Sequence, residues 1–328
     1  MRSDHVLVTD CDLPGASVEQ TLEAAGLVAT RSPHPDPEAI VSAGADATAL
    51  VVQWAPITGE LLDRMPNVRF ISRLGIGYDM IDVAAATERG IAVANTPSYC
   101  IEEVATHTLA MLLGQARGLA AYDRRVRSGA WSAVTARPMA TRPSTSTVSV
   151  IGFGRIGSLV AAGCAALGFR VLVADPYAGD DLITAAGHTP VGLADAIAEA
   201  DLLTLHAPLT AETTHLLDAA SIATMKAGAV IVNTCRGPLI DEEALADAIE
   251  SGHLGGAALD VFAFEPLPAD SRLRAFDSVM LTPHAAWFSP AALIDLPVHA
   301  ATNVIDFLAG RRVGSIVNPE VLLGRPVR

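Results

Sequence analysis

Three residues in the C-terminal half suit acid–base chemistry on a small anion: Arg236 in NTCRG, Glu265 ahead of Pro266, and His284 in LTPHAAW. A histidine titrates at ~6.5 when unperturbed, so His284 can exchange a proton with a carbonyl or hydroxyl oxygen near neutral pH. A carboxylate such as Glu265, hydrogen-bonded to that ring, favours the protonated imidazole and keeps a proton available for a ketone being reduced. Arg236 carries a permanent charge and a planar donor fork matched to a 2-oxo carboxylate. Taken singly, each has a plain structural reading: a satisfied core histidine, an ion-paired arginine, a solvated loop acid. Together they form the set that a hydride-transfer enzyme needs.

A second constellation lies upstream. Residues 151–157 read IGFGRIG, placing Gly152, Gly154 and Gly157 in a G-x-G-x-x-G spacing. An apolar strand precedes them, and a helical face of Ile156, Leu159, Val160, Cys164 and Leu167 follows. The first glycine makes a tight turn, the second admits a pyrophosphate to backbone N–H groups, and the third lets helix and strand pack closely. Asp175 ends the next strand 18 residues beyond Gly157. A carboxylate there accepts hydrogen bonds from ribose hydroxyls and repels a 2′-phosphate, so the cofactor reading is NAD rather than NADP. The structural alternative for Asp175 is a strand-end turn before Pro176.

These residues need strand ends to hold them, and the chain supplies them. Short apolar runs at 6–10, 27–30, 49–54, 68–74 and 91–95 alternate with helical stretches, the pattern of a parallel sheet built from βαβ crossovers. A longer helix follows from Ile101 to Gly118. Residues 137–147, RPMATRPSTST, read as a loop. Six further strands are expected at 147–153, 170–176, 201–208, 229–237, 255–262 and 279–285, as in a doubly wound sheet. His206, Arg236, Asp260 and His284 then fall at or just beyond strand ends, where open α/β sheets bind ligands. Residues 290–310 read as a helix that Pro297 kinks or restarts, returning the chain to the first domain.

A length of 328 residues fits two domains. Hydrophobic residues make up 51% and charged residues 18%, too apolar for disorder, and only 15 residues are aromatic, so Ala, Val, Leu and Ile dominate. The net charge of −14 argues against nucleic acid or an anionic membrane as primary partner. Four scattered cysteines, Cys11, Cys100, Cys164 and Cys235, form no C-x-x-C pair, so neither a disulfide framework nor a metal site is expected, and a reducing cytoplasm fits. No signal peptide or membrane span is read from the sequence.

The runs LGIGYDMID (74–82), GIAVANTPSY (90–99), IGFGRIG, NTCRGPLIDEEAL (233–245), GGAALDVFAFEP (255–266) and LTPHAAW (281–287), in this order, resemble the D-isomer-specific 2-hydroxyacid dehydrogenases. The resemblance implies an NAD-binding Rossmann domain at 103–287 inserted in a flavodoxin-like substrate domain of 1–102 and 288–328. It also implies a homodimer formed through the NAD domains. Arg236, Glu265 and His284 would be the catalytic triad. The backbone of Gly75, Ile76 and Gly77 would bind the substrate carboxylate with Arg236 and His284. Thr108, Arg155, Ile156, Asp175, Thr213, Cys235 and Asp260 would touch the cofactor, with the three motif glycines and the strand-end residues His206, Ala207, Pro208 and Thr234 on the same surface.

Within the family, PHAAW and the DPY after the second strand are most similar to the C-terminal-binding corepressors, and Trp287 would wall a pocket for a bulky or hydrophobic 2-oxo acid or stand as a core tryptophan. Two positions depart from the family pattern. Thr106 or His107 stands where many members carry an acid, and Cys235 where Ala or Ser is usual. The expected activity is interconversion of a small 2-oxo acid and its D-2-hydroxy acid. The competing reading is an NAD(H)-sensing module that captures protein partners.

Overall fold

The apolar runs of both halves become short parallel strands, as expected when helices cover both faces of a sheet. The computed structural model describes residues 4–133 and 142–323. The chain divides into one unit of residues 1–100 with 288–328 and a second of residues 101–287.

In the first unit, β1 (His5–Val8), β2 (Val28–Arg31), β3 (Ala49–Val52), β4 (Phe70–Arg73) and β5 (Ala92–Ala94) form a parallel sheet of order β2-β1-β3-β4-β5. This is the flavodoxin-like order. β3, β4 and β5 are buried throughout. Leu7, Leu50, Val52, Ile71 and Val93 pack with Ile40, Leu61 and Leu62 from the connecting helices.

The helix Pro290–Leu308 lies against β3 and β4. It is long and apolar enough to cross a membrane by length and composition. Its buried Leu296, Ala300, Ala301 and Val304 mark it instead as a core helix of this unit. The helix does not restart at Pro297, since it is continuous through that residue. Burial of the flanking turns outweighs the ~3 kcal/mol that an interior proline costs.

β5 lies at a sheet edge, and the C-terminal segment covers it. Ile316 bridges Ala94 in antiparallel fashion, and the Val317 N–H donates to the Val93 carbonyl at 2.8 Å. Asn318, 1% exposed, accepts from the Val93 N–H at 2.8 Å. Its amide donates to the Ile91 carbonyl and the Thr87 hydroxyl, each at 2.9 Å.

In the second unit, β6 (Thr147–Ile151), β7 (Arg170–Ala174), β8 (Thr189–Pro190), β9 (Leu202–Leu205), β10 (Val230–Asn233), β11 (Gly256–Leu259) and β12 (Val279–Leu281) are ordered β12-β11-β10-β9-β6-β7-β8, all parallel. This is the Rossmann order with one added strand. The two-residue β8 was not anticipated, because a strand of Thr and Pro carries no apolar run. The helix Ile101–Arg117 buries Val104, Ala105, Thr108, Met111 and Leu112 against one face of the sheet. Of the loop expected at 137–147, residues 137–141 lie outside the described residues. Pro143–Thr145 forms one 3-10 turn leading into β6.

Replacing Asn318 with Ala removes three hydrogen bonds and leaves a buried N–H and carbonyl without partners. The expected loss is about 2–4 kcal/mol of stability in the first unit, read as a lower urea midpoint at unchanged m-value.

Candidate active site

Arg236 follows β10 in a turn shaped by Asn233, whose amide donates to the Arg236 carbonyl at 2.8 Å and accepts from the Cys235 N–H at 2.9 Å. The next residue must be glycine, because a Cβ on Gly237 would lie 1.9 Å from the carbonyl carbon of Phe262. That contact seats the arginine turn on the loop carrying Glu265. Glu265 Oε1 accepts from the Phe262 N–H at 2.9 Å, and Oε2 meets His284 Nδ1 at 2.7 Å. Burial pushes the Glu265 carboxyl up, but the His284 hydrogen bond and charge, the Phe262 N–H and the Arg236 charge together hold it below its ordinary value. It is therefore an ionised acceptor at neutral pH.

His284 sits in the left-handed region with φ +52°. Its backbone is fixed by Asp260, whose carbonyl accepts the His284 N–H at 2.8 Å. The Asp260 carboxylate accepts from the Thr282 hydroxyl at 2.5 Å and from the Ala285 and Ala286 N–H groups at 2.8 and 2.9 Å. His107 Nε2 approaches the Thr282 hydroxyl at 3.2 Å.

The glycine turn has the shape its spacing implied. Gly152 has φ +99°, and a Cβ on Gly157 would lie 2.1 Å from the Gly152 carbonyl oxygen. Around Gly154 nothing approaches within 4 Å of a Cβ position, leaving the N-terminus of the helix Arg155–Ala166 open. Arg155 and Ile156 form its first turn. Asp175 serves as the strand-end clamp, accepting from the Phe153 N–H at 2.6 Å and the Tyr177 and Ala178 N–H groups at 2.7 and 3.0 Å. Burial raises its pKa, but these three donors lower it more, so it stays ionised. An open helix N-terminus, a cradle with no room for side chains at its two packed glycines and an ionised carboxylate fit a dinucleotide.

Opposite Gly152 lies the backbone of His206, 2.6 Å from where its Cβ would be. Burial pushes the His206 imidazole down to about 4, so it is neutral near pH 7. Ala207 and Pro208 continue the strand end, where the Thr213 hydroxyl donates to the Pro208 carbonyl at 2.7 Å. The hydroxyls of Thr108 and Thr234 meet at 2.8 Å. Cys235 donates to the Leu205 carbonyl at 2.9 Å, and burial pushes its thiol up to about 12. Trp287 is half-buried.

In the first unit the Gly75 N–H donates to the Thr96 hydroxyl at 2.7 Å. The Ile76 and Gly77 N–H groups carry no hydrogen bond among the described residues. They remain able to meet an anion.

Residues 109–286 match the family described as D-isomer specific 2-hydroxyacid dehydrogenase, NAD binding domain. A glyoxylate reductase of Korarchaeum cryptofilum is 37% identical over 296 residues, covering 89% of each chain. The chain belongs to the D-isomer-specific 2-hydroxyacid dehydrogenase family. A D-3-phosphoglycerate dehydrogenase of Mycobacterium leprae is 39% identical over 295 residues, 88% of this chain but 55% of that protein. The chain thus spans little more than half the length of that relative. A D-lactate dehydrogenase of Aquifex aeolicus, solved with NAD and lactic acid, superposes with a TM-score of 0.88 at 28% identity over 96% of this chain and 99% of that one.

In this NAD-binding oxidoreductase, two residues assigned to the cofactor surface also have structural partners. The Asp260 carboxylate is 1% exposed and fully engaged by the turn carrying His284. Thr108 is completely buried, its hydroxyl donating to the Val104 carbonyl. Asp260 fixes the histidine turn, Thr108 packs within its helix, and the Gly75 N–H is engaged within its own loop. The sequence reading missed Arg73, a buried cation at the end of β4 with the Trp54 ring 5.1 Å away. An arginine inside an otherwise apolar strand was the available signal.

The His206 imidazole gives a pH signature. Its pKa is lowered on folding, so the unfolded chain takes the proton first, and stability is lost as pH falls from ~6.5 towards 4. Urea unfolding between pH 7 and pH 4 should show the His206→Gln variant losing about 1–3 kcal/mol less than the wild type. Equal losses would remove His206 as the source.

Proposed function

We propose that this protein is an NAD-dependent dehydrogenase interconverting a 2-oxo acid and its D-2-hydroxy acid, with His284 as the acid/base. The 2.7 Å hydrogen bond between His284 Nδ1 and Glu265 carries this reading. Nδ1 faces Glu265, which sets the ring orientation, and Nε2 is the nitrogen proposed to exchange a proton with a substrate oxygen. NAD, when bound along Gly152, Gly154 and Gly157 with Asp175 at its ribose, supplies or accepts the hydride. Reduction adds that hydride to C2 and leaves charge on the former carbonyl oxygen, which the His284 proton neutralises. Arg236 would anchor the substrate through its planar donor fork. Trp287 supplies apolar surface for the substrate side chain.

The imidazole–carboxylate pair favours an enzyme over a protein-capturing NAD(H) sensor, which needs no such pair. The unit of residues 101–287 is the proposed cofactor domain and the other the substrate domain. Leu119, Val126 and Trp131, exposed at 57%, 53% and 89%, support pairing of two copies through the second unit. Four free cysteines are consistent with a reducing cytoplasm.

NADH oxidation should be seen with one or more of a panel of 2-oxo acids. Tight NADH binding without turnover of any would exclude the proposal. The His284→Ala variant should lose ~10²-fold or more in kcat with NADH affinity unchanged within a few-fold, and a wild-type rate would exclude its role. Asp175→Ala should erode the preference for NADH over NADPH, and unchanged selectivity would count against the ribose contact.

A further inference from the structure

In the first unit the loops after β1 and β3 are tied together at the C-terminal edge of the sheet, where open α/β sheets bind ligands. Asp10 accepts from the N–H groups of Gln53, Trp54 and Ala55 at 3.1, 2.5 and 3.2 Å. Asp12 receives the Trp54 indole N–H at 3.1 Å on one oxygen and the Gln53 amide on the other. The Asp12 N–H donates back to the Gln53 side chain at 2.8 Å. Trp54 is thereby held at both backbone and ring, although it is 39% exposed.

The held ring faces Arg73, whose guanidinium carbon lies 5.1 Å from the ring centroid. Arg73 is 4% exposed, covered by the indole and pressed against Gly75, where a Cβ would collide with the guanidinium. The other arginine of this edge, Arg31, is paired with Glu19 at 2.6 Å. Two carboxylates therefore stand at the strand ends while one cation is capped by an aromatic ring and the other is matched by an acid. A phosphate dianion needs an open donor fork or several cations. Here it would meet Asp10 and Asp12 instead, and like charges brought together are disfavoured. A monoanionic substrate makes no such demand once its carboxylate is held by backbone N–H groups.

Resting on the dehydrogenase reading above, we infer that the substrate is a 2-oxo acid whose carboxylate is its only anionic group, with Trp54 and Asp12 excluding phosphorylated analogues. Hydroxypyruvate and its 3-phosphate differ only in the phosphoryl group and serve as the probe pair. The wild type should favour hydroxypyruvate in kcat/KM by ~100-fold or more, the discrimination expected of a like-charge clash.

Trp54→Ala, which uncovers Arg73, should narrow that ratio by about tenfold or more. Asp12→Asn, which keeps an acceptor for the indole but removes a charge, should narrow it by about threefold to tenfold. General damage lowers both substrates alike and does not narrow the ratio. A wild-type ratio near or below one overturns the inference, and an unchanged ratio in both variants overturns the assignment to Trp54 and Asp12. If glyoxylate, pyruvate and both probes all fail to oxidise NADH that still binds, the dehydrogenase reading itself falls and takes the inference with it.

Discussion

The imidazole of His284 reaches Glu265 from a backbone held at φ +52°, a conformation that costs an L-residue about 1–2 kcal/mol, and the group holding it there is Asp260. Three donors converge on the Asp260 carboxylate, from Thr282, Ala285 and Ala286, and so bracket the histidine on both sides. Its carbonyl takes the N–H of His284 itself. Hydrogen bonds to a carboxylate contribute about 1.5–3 kcal/mol each, so together they exceed the backbone strain. The hydrogen bonds therefore fix the orientation of the His284 ring toward Glu265.

The charge of the chain acquires a local meaning from the same geometry. With a net −14, the protein as a whole repels the anions it is read to handle. Hydrogen bonds satisfy the oxygens of Asp10, Asp12, Asp175 and Asp260 without cancelling their charge. Among the described residues, the donors proposed to meet anions are the open helix N-terminus after Gly154, the Arg236 fork, and the N–H groups of Ile76 and Gly77. Selectivity between anions follows from how few such places exist at each sheet edge.

Strand positions, the glycine turn and the Arg236, Glu265 and His284 set were legible because each depends on local pattern: apolar runs, glycine spacing, polar residues at strand ends. What escaped depends on partners far away in sequence. β8 is an edge strand of two residues with a proline, made by pairing with β7 rather than by its own composition. Pro297 looks like a helix break until the burial of its neighbours is known. The structural role of Asp260 was hidden because its donors lie 22 to 26 residues on, and nothing local marks them.

A common device recurs at the sheet edges. At three strand ends an aspartate bridges to an adjoining loop: Asp10 to residues 53–55, Asp175 to Phe153, and Asp260 to residues 282–286. Aspartate suits this place because its carboxylate sits one bond from Cβ, close enough to the backbone to span neighbouring strand ends. It also offers two acceptor oxygens where asparagine has one. Strand ends carry the N–H groups that the sheet ladder no longer pairs, and a buried donor left alone costs about 1–3 kcal/mol. An aspartate that satisfies two or three of them at once fixes loop position without adding a helix or strand. Such an aspartate holds a loop in place whether or not it also meets a ligand, as Asp175 is proposed to do at the ribose. In an edge built this way, replacing one aspartate displaces a whole loop, whereas replacing a ligand-facing side chain changes one contact.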